Sequence, residues 1–129
     1  MTTLHLTQRP DGSSGLQDEV GNGVILPTYT ETASTAANMK RYGLATISST
    51  GVKTFTLDAP VIGAYKEIVK TANSTAICTV SCGSGITIGG STKVVTKILF
   101  NGLNDSCALR AISATKWHVV GNNSVTLST

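Results

Sequence analysis

From Leu44 to the end of the chain, apolar and polar residues alternate in short runs separated by turn residues. Phe55 and Leu57 alternate with threonines, and Trp117 and Val119 alternate with polar neighbours. A period of two is typical of strands with one buried face. The pattern predicts strands at about residues 44–48, 53–58, 64–71, 75–82, 86–88, 93–100, 106–113, 116–120 and 124–128.

Turn signals recur about every ten residues along this region, as in Gly83-Ser84-Gly85 and Asn101-Gly102. Such regular spacing is typical of a β-sandwich or a small barrel. No connection is long enough for a crossover helix, so we expect neighbouring strands to be antiparallel. The predicted fold is all-β, an antiparallel β-sandwich or jelly-roll-like small barrel preceded by an extended N-terminal arm.

Some apolar residues fall on the nominally outer faces of these strands, namely Ile77, Val95, Leu99 and Ile112. Isolated exposed apolar residues are normal, but several on one small domain indicate a second buried surface. We therefore expect the domain to self-associate.

The first 38 residues differ in character from the rest. They carry turn and linker signals and one short strand candidate, Val24–Leu26, which Pro27 ends. One arginine against four carboxylates makes the net charge of residues 1–38 −3, whereas nine lysines and arginines against three carboxylates make residues 39–129 +6. We predict an extended arm at 1–38 and a β-sandwich body at 39–129. The arm's predicted capsid or subunit contacts are Leu4, Leu6, Val24, Ile25, Leu26 and Tyr29.

Composition agrees with strands joined by tight turns. Serine and threonine supply 33 of the 129 residues, and charged residues only 13%, about half the usual share. The N-terminus lacks the features of a signal peptide, and no apolar run has membrane-spanning length. We therefore expect a protein made in a cytoplasm, with no membrane partner. An odd number of cysteines, Cys78, Cys82 and Cys107, favours buried thiols over a disulfide framework.

Motifs for catalysis are missing from the sequence. No Gly-x-Ser-x-Gly elbow occurs, and His118 has no acid placed to orient it. Asp58 and Asp105 look like turn residues, and Glu67 lies between two lysines, which favours a surface ion pair. We expect no enzyme activity, no cofactor and no metal.

The net positive charge of residues 39–129 raises the question whether the body binds nucleic acid. Aromatic residues make up only 5% of the chain, and no interleaved stacking platform is visible. Spaced lysines on strands protect sheet edges or complement an acidic protein partner. We expect no nucleic-acid partner.

Two stretches resemble a known class of protein. Residues 114–128 read ATKWHVVGNNSVTLS, and residues 54–63 read TFTLDAPVIG. Together with the hairpins between them, they resemble the capsid decoration (cement) proteins of tailed bacteriophages, small β-rich virion proteins. The resemblance covers about residues 50–129 and carries no catalytic motif.

The resemblance implies a structural virion protein, commonly a homotrimer, that binds the major capsid protein on the outer surface of a phage head. It would stabilise contacts between capsomers after assembly in the host cytoplasm. Related β modules occur in head and tail fibres, so a receptor- or glycan-binding fibre domain is the alternative. That alternative needs an exposed aromatic ring, for which Trp117, Tyr65 and Tyr42 are the candidates. Because the alternation of residues 116–119 places Trp117 on the core face of its strand, we expect Trp117 to be buried.

Overall fold

The computed structural model describes residues 5–8, 14–17, 29–33, 38–89 and 94–129. Within these residues the elements are all strands. They are β1 (His5–Gln8), β2 (Ser14–Gln17), β3 (Thr30–Ala33), β4 (Asn38–Met39), β5 (Gly43–Ile47), β6 (Lys53–Leu57), β7 (Tyr65–Lys70), β8 (Cys78–Cys82), β9 (Thr87–Ile88), β10 (Lys97–Phe100), β11 (Ser106–Ser113), β12 (Lys116–Asn123) and β13 (Thr126–Ser128).

The strands from β3 onward form two sheets. One has six strands in the order β3-β5-β7-β11-β12-β9, and the other has five in the order β13-β10-β8-β6-β4. Successive strands from β3 to β11 fall alternately in the two sheets. The chain therefore crosses between the sheets at almost every connection. β1 and β2 pair separately as an antiparallel ladder.

The sheets are mixed, so the prediction of a purely antiparallel sandwich or jelly-roll-like barrel is wrong in its strand directions. β3, β5 and β7 are mutually parallel, as are β4, β6 and β8. The sequence analysis expects antiparallel neighbours because a connection between parallel strands normally needs a helix over the sheet. Here the crossover is a strand of the opposite sheet, which returns the chain in the same direction without a helix.

Both sheets contribute to one hydrophobic core. Because the elements of the described residues are all strands, the all-β prediction is confirmed. Phe55 and Leu57 come from the five-stranded sheet, and Ile68, Leu109 and Trp117 from the six-stranded sheet. Each is almost fully buried, as alternation predicts for the inner face of a pleated strand. The alternation of the sequence thus identified the core-facing residues of these strands.

All nine predicted strands are present, with ends that differ by a few residues. The largest difference is at β10, which begins at Lys97 rather than at residue 93. Val95 precedes the strand, accepts a hydrogen bond from the Ile88 N–H (2.8 Å) and is buried. Its predicted place on an outer face is therefore wrong, whereas Ile77 and Ile112 are exposed as expected.

β3 lies inside the predicted arm and pairs with β5 along four residues. The sequence analysis did not identify it, because Thr30–Ala33 has no apolar alternation. The short strand predicted at Val24–Leu26 lies outside the described residues. The arm and its boundary at residue 38 stay predictions.

The three cysteines are free, and Cys78 and Cys107 are buried while Cys82 is half-buried. Desolvation by burial raises the pKa of the Cys82 and Cys107 thiols to about 11. The prediction of buried thiols is therefore confirmed for Cys78 and Cys107 but not for Cys82. Among the described residues, no helix is long and apolar enough to cross a membrane.

The raised pKa of Cys107 gives a pH dependence with a defined sign. Above about pH 9 the unfolded thiol ionises while the folded thiol does not, so the free energy of unfolding falls until about pH 11. We expect wild type to lose at most about 3 kcal/mol relative to Cys107→Ala across this window. Urea unfolding followed by Trp117 fluorescence measures it, and a constant difference between the two proteins would contradict it.

Candidate functional site

Two exposed tyrosines form a pair where the chain enters the six-stranded sheet. Tyr29 directly precedes β3 and Tyr42 directly precedes β5. Their ring centroids are 5.1 Å apart and the ring planes are tilted by 60°, an arrangement that aromatic quadrupoles favour. Tyr29 is 41% exposed and Tyr42 46%. The pair therefore presents aromatic surface to solvent.

The backbone beneath this tyrosine pair is held by a close approach at Gly43. The Leu44 N–H donates to the Tyr29 carbonyl oxygen at 2.8 Å, which continues the β3–β5 ladder. Gly43 has φ +82°, and a Cβ at this position would lie only 2.0 Å from the same oxygen. Only glycine adopts this conformation and leaves room for the carbonyl. The Tyr-Gly sequence at 42–43 thus fixes where Tyr29 sits.

A buried ion pair supports the tyrosine pair from the core side. Lys66 on β7 is fully buried, and its Nζ donates to Glu31 Oε1 at 2.6 Å and to the Tyr42 carbonyl oxygen at 3.2 Å. The same Glu31 oxygen accepts the Lys40 N–H at 3.0 Å. One lysine therefore ties β3, the segment before β5 and β7 together. Lys66 thus contacts the Tyr42 backbone directly and reaches β3, two residues after Tyr29, through Glu31.

The electrostatics of Lys66 reflect two opposing effects. Desolvation by burial lowers the pKa of its ammonium, and this effect is the largest. The hydrogen bond and charge of Glu31, and the charge of Asp58, oppose it. Lys66 is therefore a structural cation that depends on Glu31 for compensation.

The expected surface ion pair of Glu67 with its neighbouring lysines is wrong. Lys66, Ile68 and Lys70 all face inward on β7, and Glu67 is exposed. Lys70 Nζ instead donates to the carbonyl oxygens of Ser74 (2.9 Å) and Ala76 (2.5 Å). The signal was present in the sequence, because Ile68 fixes the inner face and both lysines share its parity.

Of the six predicted contact residues, Tyr29 is the one whose surroundings the structure describes. Leu6 lies in β1, where it pairs in register with Leu16. Leu4, Val24, Ile25 and Leu26 lie outside the described residues. The structure adds Tyr42, Glu31 and Lys66 to Tyr29, a grouping that no sequence spacing predicted.

The three aromatic residues considered for a glycan site have different positions. Trp117 is completely buried, as predicted, and within the described chain its Nε1 is the buried side-chain polar atom without a hydrogen-bond partner. Tyr42 and Tyr65 are 46% and 47% exposed. Trp117 is therefore unable to stack on a ligand, whereas the two tyrosines are accessible.

Metal chemistry finds no support in the described residues, which contain no group of three or more histidine, cysteine, aspartate or glutamate side chains placed to hold an ion.

No protein-family model matches the chain, and comparison with curated proteins finds no significant match.

Gly43→Ala tests the close approach that positions Tyr29. We expect it to unfold the β3–β5 junction and to lower the free energy of unfolding by about 3 kcal/mol, because strain and a backbone clash combine. Thermal unfolding measures the change. Gly63→Ala is the matched control, since Gly63 has φ +88° but nothing within 4 Å of an added Cβ. It should cost only about 1 kcal/mol, and equal losses in the two variants would contradict the clash.

The buried ion pair is tested by a double-mutant cycle on Glu31 and Lys66. Lys66→Met leaves the half-buried Glu31 carboxylate unpaired, and Glu31→Leu leaves a buried ammonium, so each should cost about 3 kcal/mol or more. The double variant should return to within about 1 kcal/mol of wild type, since it removes both charges. Urea unfolding gives the coupling energy. Additive losses would show that the two residues act separately.

Proposed function

We propose that the chain is a structural virion protein, a capsid decoration protein that binds the outer surface of a phage head. It contacts the major capsid protein and stabilises contacts between capsomers. Its place is the capsid surface of the virion, and it is assembled in the host cytoplasm. It is neither an enzyme nor a carrier of a cofactor, and it binds no nucleic acid or membrane. The resemblance of residues 50–129 to such proteins supports this proposal.

The observation that carries the proposal is the exposed Tyr29–Tyr42 pair on its rigid support. Aromatic residues are enriched in the energetically important centres of protein interfaces. A backbone that is already ordered loses little conformational entropy on binding. Both tyrosines are held by backbone contacts, including those of Lys66 and Gly43. The pair is therefore suited to anchor the protein on a neighbour.

Charge supports a protein partner. Residues 39–129 carry a net charge of +6 and residues 1–38 one of −3. Two of the body's nine cations, Lys66 and Lys70, are buried, and Lys66 is paired with Glu31. The other seven cations against three carboxylates still leave the body net positive and complementary to an acidic surface. Such charge differences favour contacts between unlike surfaces of neighbouring subunits.

A homotrimer with two sheets packed as a β-sandwich is the form we propose. Exposed apolar side chains on the body, among them Ile112, Ile62 and Val120, support an interface between copies. Repetition of a modest contact by threefold symmetry strengthens attachment to a capsid through avidity. The arm residues Leu4, Leu6, Val24, Ile25 and Leu26 would extend the contact onto a neighbour.

A receptor- or glycan-binding head or tail fibre domain is the second candidate. The observation that favours it is the exposure of Tyr42 and Tyr65, each of which offers a ring face to a ligand. The burial of Trp117 removes the residue with the largest ring from this candidate. The two functions differ in whether the Tyr29–Tyr42 pair meets a capsid.

Replacement of both tyrosines by alanine tests the decoration proposal. We expect Tyr29→Ala with Tyr42→Ala to weaken binding to capsids lacking the protein by about a hundredfold, since two interface anchors are lost. Cosedimentation with those capsids measures binding. Native mass spectrometry checks that the oligomeric state is unchanged.

Tyr65→Ala is the control, because Tyr65 is equally exposed but lies outside the tyrosine pair. It should bind capsids like wild type. Unchanged capsid binding by the double variant would contradict attachment through Tyr29 and Tyr42.

A further inference from the structure

The turn between β10 and β11 contains an Asn-Gly pair, Asn101-Gly102, and the sequence has one other such pair, Asn22-Gly23. In an Asn-Gly pair the backbone nitrogen of the glycine attacks the asparagine side chain readily, because glycine has no Cβ to hinder the approach. The product is a deamidated chain. Asn101 is therefore a place where the protein can be modified covalently without an enzyme.

The carboxylate of Asp105 holds both backbone N–H groups of this pair. Asp105 Oδ2 accepts the Asn101 N–H at 2.7 Å and the Gly102 N–H at 2.9 Å. The Asp105 N–H in turn donates to the Gly102 carbonyl oxygen at 3.2 Å, and Asp105 is buried. Hydrogen bonds to an ionised acceptor are stronger than those between neutral groups. The nitrogen that would attack the Asn101 side chain is thus bound to a charged oxygen.

Further hydrogen bonds tie the turn to β7 and β12. The Lys70 N–H donates to the Asp105 carbonyl oxygen at 2.9 Å, and the Asn104 N–H donates to the Lys70 carbonyl oxygen at 2.8 Å. Asn123 Nδ2 donates to the Asn104 carbonyl oxygen at 3.1 Å. Asn104 has φ +70°, a conformation that asparagine adopts more readily than most residues. The backbone around Gly102 therefore moves only when several hydrogen bonds break together.

We propose that Asn101 is a deamidation site that the Asp105 carboxylate keeps unreactive in the folded protein. In the reaction the Gly102 nitrogen loses its proton and bonds to Asn101 Cγ. The Cγ–Nδ2 bond then breaks, and the side-chain nitrogen takes up a proton and leaves as ammonia. Water opens the resulting succinimide ring at either carbonyl, which gives aspartate or isoaspartate at position 101.

Asp105 opposes this reaction in two ways. Its hydrogen bond to the Gly102 N–H must break before that nitrogen can attack Asn101. Its negative charge also disfavours both the loss of the amide proton and the oxyanion that forms on Asn101 Oδ1 during the attack, since like charges repel more strongly in a partly buried site than in water. Asp105 therefore protects the Asn-Gly pair and does not act as its base.

Deamidation would alter the point where the chain passes from one sheet to the other. The new carboxylate at position 101 would lie in the same turn as Asp105, with repulsion between the two charges. An isoaspartate would add a main-chain carbon directly after Phe100, the fully buried last residue of β10. Modification would therefore weaken the connection between the sheets. This inference goes beyond the proposed attachment to a capsid and does not depend on it.

The first test compares folded and urea-unfolded wild type by tandem mass spectrometry of the peptide that contains residue 101. In urea, Asn22 and Asn101 should deamidate at similar rates, because both precede glycine. In the folded protein Asn101 should react about ten- to a hundredfold more slowly than in urea, the rate equivalent of one charge-assisted hydrogen bond. Equal rates for Asn101 in the folded and unfolded protein would disprove the protection.

Asp105→Ser assigns the protection to the carboxylate, because it removes the charge, keeps a hydroxyl acceptor for the turn and adds no new amide. We expect Asn101 to deamidate about tenfold faster than in folded wild type, with Trp117 fluorescence showing that the variant is folded. An unchanged or slower reaction would overturn the role of Asp105. If the variant does not fold, the comparison of folded and unfolded wild type decides the proposal.

Gly63→Ala is the matched control for stability. Gly63 precedes β7 at the end opposite Lys70, where the turn is bound, and its positive φ makes the variant less stable without touching the turn. Asn101 should deamidate in this variant at the wild-type rate, because opening of the turn and not loss of overall stability limits the reaction. The same acceleration in Gly63→Ala and Asp105→Ser would show that Asp105 acts only through overall stability, and would overturn the proposal.

Discussion

The alternation of the chain between two sheets around one core is the constraint on which the rest of the structure depends. Connections between successive strands from β3 onward span only two to eight residues. Neighbours within a sheet are therefore often two strands apart in sequence, and β3 to β8 form two parallel sets. Each set buries its inner face only when the opposite set is in place. The two sheets thus depend on each other for stability, and long-range contacts dominate the fold.

Strand β7 buries two cations, because two of its three inward side chains are lysines. Burial of a charge is unfavourable unless the charge is compensated. The two are compensated differently. Lys66 pairs with Glu31 and so fixes the edge strand β3, while Lys70 is capped by two carbonyl oxygens of the connection to β8. A buried cation with a single set of partners disfavours other pairings of the same strands. We infer that these lysines contribute specificity more than stability.

The sequence predicted where the strands lie and that Phe55, Leu57, Leu109 and Trp117 fill the core, because alternation along a strand indicates which side chains are buried. It did not predict strand direction, since a pleated strand has the same period whether its neighbour is parallel or antiparallel. The sequence also did not predict the tyrosine pair. Tyr29 and Tyr42 meet through the β3–β5 ladder, and β3 has no apolar pattern to reveal it.

The two outer faces left by this alternation differ in chemistry. On the five-stranded sheet, adjacent strands place Thr54, Thr79 and Thr126 in one row with Leu99, a surface of hydroxyl groups without a carboxylate. On the six-stranded sheet, the corresponding rows carry Glu67 and Arg110 around a gap in the side-chain layer. Hydroxyl rows are readily solvated and need no partner. The six-stranded sheet therefore has the more varied outer face, and the tyrosine pair lies at the entrance to two of its strands, β3 and β5.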